Sequence, residues 1–154
     1  MRLDVRRRGW TLLIGVGTVL LVLVLLGVWP QTAGGYRSTV ESSVQDAVSS
    51  VGTARIVGQT SLKGNEFRSY ESTVLDDART SVTSAFSGIS ELSTPDPDSQ
   101  RIRDEVLPLI DESVRLIDDL DLSLGEDDRR SAARSVDGLG SVGERLAAVL
   151  EKLR

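Results

Sequence analysis

Two runs of carboxylates are the residues best suited to chemistry in this chain: Asp118, Asp119 and Asp121, then Glu126, Asp127 and Asp128. Hard oxygen ligands at that density are the raw material of a calcium loop. An EF-hand needs oxygens at fixed offsets, a Gly at the sixth position and a carboxylate at the twelfth. Counted from Asp96, the sixth position is Arg101 and the twelfth Leu107; counted from Asp119 or Asp121, Gly125 falls seventh or fifth. The pattern fails in each register. The acids are expected to form a solvated face, with no metal site.

Other chemistries lack their residues. The chain has no His and no Cys, which removes Ser-His-Asp triads, most zinc sites and disulfide frameworks. A di-iron bundle needs inward Glu-x-x-His pairs and is closed for the same reason. There is no Gly-rich phosphate loop and no GxSxG elbow. Phe67 and Phe86 fit a core stripe better than a ligand cage. No catalytic residue and no cofactor is assigned, and the chain is not expected to be an enzyme. A net charge of −5 argues against nucleic acid, whose phosphates require clustered Lys and Arg.

The elements that carry these residues begin with a membrane signal. From Gly9 to Trp29 run 21 residues without a charge, which as a helix reach roughly 30 Å, the thickness of a bilayer's hydrocarbon core. Trp10 and Trp29 stand at its ends, where amphipathic rings prefer the headgroup boundary. Arg2, Arg6, Arg7 and Arg8 precede it, and such a cluster holds its side of a span in the cytoplasm. A cleaved signal peptide is the alternative, but its apolar core is usually about 7–15 residues long. The best cleavage match, Thr32-Ala33-Gly34, is poor. The expected organisation is a basic cytoplasmic tail over 1–8, a transmembrane signal anchor over 9–29, a linker over 30–35 containing Gly34 and Gly35, and an extracytoplasmic helical bundle over 36–154. Residues 30–154 carry 14 Lys and Arg against 22 Asp and Glu, so the exported part is acidic and is expected to stand off anionic headgroups.

Within the exported part the hydrophobic period is helical. Four stripes repeat in steps of three and four: Val40, Val44, Ala47, Val51, Ala54; Phe67, Val74, Ala78, Val82, Ala85, Ile89, Leu92; Ile102, Val106, Leu109, Ser113, Ile117, Leu120; and Ala132, Val136, Leu139, Gly143, Leu146, Leu150, Leu153. Boundaries follow from turn chemistry. Gly64 is placed to close the first helix, Asp96-Pro97 to cap and open the third, and Gly125 to end it. Ser123 with Glu126 is the expected capping box of the fourth helix. Short connections force neighbours to run antiparallel. The fold class is all-α: one N-terminal transmembrane helix, then an antiparallel up-down-up-down four-helix bundle with coiled-coil-like packing.

Three features test this reading. Pro108 interrupts the third stripe, and a kink is expected there. Gly138, Gly140 and Gly143 mark either close helix approach or a break at Asp137-Gly138. The first helix has only Val and Ala on its stripe, so it is expected to be thinly cored and to carry a partner surface, with Ser43 and Ser50 facing outward.

The outline of a basic tail, one span and an exported helical bundle resembles the sensor half of bacterial chemoreceptors and histidine kinases. That resemblance is architectural and covers no motif; with eight residues before the span and no second span, no cytoplasmic output domain is expected. The functional expectation is a single-pass membrane-anchored, non-enzymatic interaction or scaffold module in the cell membrane. Lipid is its partner through residues 9–29, and an envelope protein or a second copy is its partner through the bundle. The alternative is a ligand-binding, sensor-like accessory subunit signalling through a partner membrane protein.

Overall fold

Thr32 opens the first helix of the computed structural model, which describes residues 32–64 and 68–154; its hydroxyl accepts from the Gly35 backbone N–H at 3.2 Å. Four helices follow: α1 (Ala33–Leu62), α2 (Arg68–Glu91), α3 (Pro97–Gly125) and α4 (Arg129–Leu153). The described residues are all-helical, without strands, as the periodicity predicts. The basic tail over 1–8, the apolar run over 9–29 and Phe67 lie outside the described residues. Among those described, no helix is long and apolar enough to cross a membrane.

Caps set most boundaries. Asp96 accepts from the Ser99 N–H at 2.8 Å and the Ser99 hydroxyl at 3.1 Å, with Pro97 in the first helical turn. Gly64 takes φ +85° just after α1, a left-handed conformation that costs a residue with a Cβ. Two boundaries depart from expectation. α1 starts at Ala33 and takes Gly34 and Gly35 into its first turn, because Thr32 supplies the cap. The Ser123–Glu126 capping box does not form. Ser123 Oγ donates instead to the Asp119 carbonyl at 2.6 Å. Asp127 adopts φ 59° and turns the chain, and Asp128 caps α4 by accepting from the N–H groups of Arg130 and Ser131, both at 3.1 Å. Asp tolerates the left-handed region better than most residues, so the turn closes two residues beyond Gly125.

Each helix packs on its chain neighbours, α1 also packs on α4, and the diagonal is unequal: α1 touches α3, whereas α2 and α4 do not meet among the described residues. The thin core expected of α1 is not what the packing shows. Val40, Val44, Ala47 and Ala54 are fully buried, and α1 shares with α3 the short diagonal, so that each of these two helices touches all three others. Small side chains let its axis approach closely rather than leave it thinly packed. Its threonine hydroxyls are engaged locally: Thr39, Thr53 and Thr60 donate to carbonyls one turn back at 2.9–3.0 Å. Ser43 and Ser50 are half-buried, not outward.

The large core residues come from the other helices, among them Leu75, Ile89, Ile110, Ile117, Leu120, Leu139 and Leu146. In α2 it is Leu75 that is buried, with Val74 half-exposed. α3 runs through Pro108 without interruption and α4 through its glycines. Those glycines mark close approach: a Cβ on Gly138 would lie 2.7 Å from Leu116 Cδ2, and one on Gly143 3.4 Å from Val51 Cγ1.

Candidate functional site

Antiparallel order brings the end of α1, the start of α2, the end of α3 and the start of α4 to one end of the bundle. The apolar stripes stop there in polar residues. Continuing the steps of three and four places Ser61 on the α1 stripe, Glu71 on the α2 stripe and Ser123 on the α3 stripe. All three are buried, at 9%, 8% and 7% exposure. Ser61 Oγ donates to Glu71 Oε2 at 3.2 Å. This polar layer borders a cavity of about 260 Å³, whose walls include Leu62, Leu75 and Leu124 on the apolar side and Asp121 and Arg129 on the charged side.

The two carboxylate runs separate here by role. Asp118 pairs with Arg79 of α2 at 2.6 Å. Asp128 is the cap of α4, and hydrogen bonds from the Ser131 hydroxyl and backbone hold its carboxyl below the usual range. Asp121 borders the cavity, where partial burial, with the like charges of Asp118 and Asp76, pushes its carboxyl up. Among the described residues no three carboxylates are grouped so as to hold a metal ion. The described aromatic side chains also divide: Tyr36 is buried in the core, Phe86 packs partly buried against it, and Tyr70 is exposed.

Large exposed hydrophobic side chains share this end. Tyr70 (70% exposed) adjoins Glu71, Leu122 (60%) adjoins Asp121 and Ser123, and Ile56 (64%) lies just over one turn before Ser61. The opposite end is closed by basic clamps. Arg37 donates from Nε to the Leu153 carbonyl at 2.8 Å and from Nη2 to that of Lys152 at 2.6 Å. Arg103 Nη2 donates to the Ser90 carbonyl at 2.7 Å. Cations at these positions satisfy orphan carbonyls and the negative end of the helix dipole. Lys152–Glu105 and Arg145–Glu112 join α4 to α3 along the side.

The clamps and the polar layer were missed by apolar pattern reading. The signal for the layer was present, since Ser61, Glu71 and Ser123 sit in phase with the stripes; a search for apolar residues passes over them. For Arg37 there was no such signal, because its acceptors lie more than a hundred residues away. No protein-family model, curated protein or solved structure matches this chain.

Proposed function

We propose that this chain is a single-pass membrane-anchored, non-enzymatic interaction module, held by residues 9–29 with its N-terminus cytoplasmic and its helical bundle on the extracytoplasmic side. The observation that carries the reading is the contrast between the bundle's ends. One is tied off by Arg37 and Arg103. The other combines a cavity with exposed Tyr70, Leu122 and Ile56. Single exposed apolar residues need no explanation, but several gathered at one end favour a contact surface. The partner is an envelope protein or a second copy of the chain. A largely apolar core, with most of the charged side chains at the surface, supports an interaction role over catalysis.

The test is co-purification of the full chain from native membranes after cross-linking, with Tyr70→Ser and Leu122→Ser as variants. Both side chains are exposed, so the fold should tolerate the changes within about 0.5 kcal/mol. Loss of the cross-linked partner or self-association in either variant supports the reading; retention in the double variant removes it.

The cavity beside Glu71 favours a second reading, a ligand-binding accessory subunit that signals through a partner membrane protein. Thermal shifts of the full chain against a library of small polar compounds test it, because a ligand that binds only the folded state raises the melting temperature.

A further inference from the structure

We infer that the cavity at the Ser61–Glu71 end takes a small organic cation, a primary ammonium on a short apolar tail, with Glu71 as its counter-charge; this rests on the ligand-binding reading. Glu71 is 8% exposed and receives the hydroxyl hydrogen of Ser61. Among the side chains described, the ion pairs use Asp98, Asp111, Glu112, Asp118, Glu105, Glu41 and Glu151, and none of them engages Glu71. A buried carboxylate whose described donor is one neutral hydroxyl is stabilised further when a positive charge joins it. The cavity supplies the room for that charge.

The class of cation follows from the walls. Asp121 and Asp127 add two further acids while Arg129 is the single base among the described lining residues, so the balance of those residues is negative and attracts a cation. Leu62 and Leu75 offer apolar surface that a bare metal ion would waste and a short alkyl chain would cover. Calcium and magnesium take six or more oxygens, and the described carboxylates do not group to provide them. At about 260 Å³ the cavity lies just below the range of about 300–1,000 Å³ for drug-sized ligands. It therefore suits a ligand of few heavy atoms.

The experiment titrates the full chain, in non-ionic detergent, with n-butylammonium chloride by isothermal calorimetry. Sodium butyrate and 1-butanol serve as anionic and neutral probes of similar length. Saturable binding of the ammonium alone is expected, with a Kd on the order of 1 mM for so small a molecule. Glu71→Gln keeps the shape and an acceptor for Ser61 but removes the charge, and should weaken binding about tenfold or more. Lys63→Gln, an exposed change outside the lining, should leave binding unaltered. Should Glu71→Gln fail to fold by circular dichroism, Asp121→Asn takes its place and should weaken binding severalfold. Unchanged affinity in the folded charge variant overturns the site. Absence of ammonium binding, or equal binding of butyrate or butanol, overturns the cation. The ligand-binding reading then survives if the compound library yields a stabilising molecule of another class, and falls with the cation if it yields none.

Discussion

A Cβ on Gly58 of α1 would lie 2.5 Å from Cγ2 of Val136 of α4. No real Cβ sits so close to a carbon, and Leu120 Cδ2 of α3 stands 2.9 Å away on another side. Three helices thus converge where α1 has no side chain, and this contact underlies the short diagonal between α1 and α3.

Gly58→Ala should destabilise the bundle by about 1–2 kcal/mol, since overpacking exceeds the roughly 1 kcal/mol of helix propensity that Ala contributes. Val136 is β-branched and stiff, so it cannot swing aside. Gly52 has nothing within 4 Å of its would-be Cβ, and Gly52→Ala should stabilise by about 0.5–1 kcal/mol. Urea unfolding of the pair checks both signs. Equal stabilisation by the two variants would refute the close approach.

Removing the Arg37 donors should loosen one end selectively. Arg37→Met keeps the apolar stem and abolishes the hydrogen bonds to the carbonyls of Lys152 and Leu153. The expected loss is about 1 kcal/mol, reduced by solvent screening at an exposed site. Amide exchange should quicken in the last turn of α4 and stay unchanged in α3.

The capping acids make stability depend on pH in a defined direction. Hydrogen bonds from Ser99 lower the Asp96 pKa below 3.8, and those from Ser131 do the same for Asp128. A depressed folded pKa contributes stability that is present above the unfolded value and lost as pH falls through the folded one. Acid unfolding should therefore steepen below about pH 3.8. Asp96→Asn and Asp128→Asn should each flatten that limb, as read by thermal melts between neutral pH and pH 2.

Asp121 acts with the opposite sign. Burial raises its pKa above 3.8, helped by Asp118 and Asp76, so its favourable contribution is present below the unfolded pKa and lost as pH rises through the folded one. Asp121→Asn should stabilise the bundle at neutral pH, with the advantage vanishing below about pH 3.8. An equal gain at both pH values would assign the effect to something other than charge.

The proposed topology has its own check. A reporter active only in the cytoplasm, fused after Arg154, should remain silent, and replacing Arg6, Arg7 and Arg8 with neutral residues should raise its signal. A strong signal from the unaltered chain would overturn both the orientation and the extracytoplasmic location.

What the amino-acid order determined by itself is the local layer of this fold. Steps of three and four define four buried faces, Asp96-Pro97 starts one helix, and Gly64 stops another, because periodicity and caps act over one or two turns. Which helix covers which face was decided only by tertiary structure. Hydrophobic burial has no direction, so a Val and Ala stripe reads equally as a thin edge or as part of the bundle's central diagonal; α1 took a place on that diagonal with α3, where Gly58, Leu120 and Val136 meet. The same reason hid the polar end layer. Ser61, Glu71 and Ser123 lie in phase with the stripes, yet their burial depends on three helices ending at one level. Only the antiparallel packing of the whole bundle establishes that level.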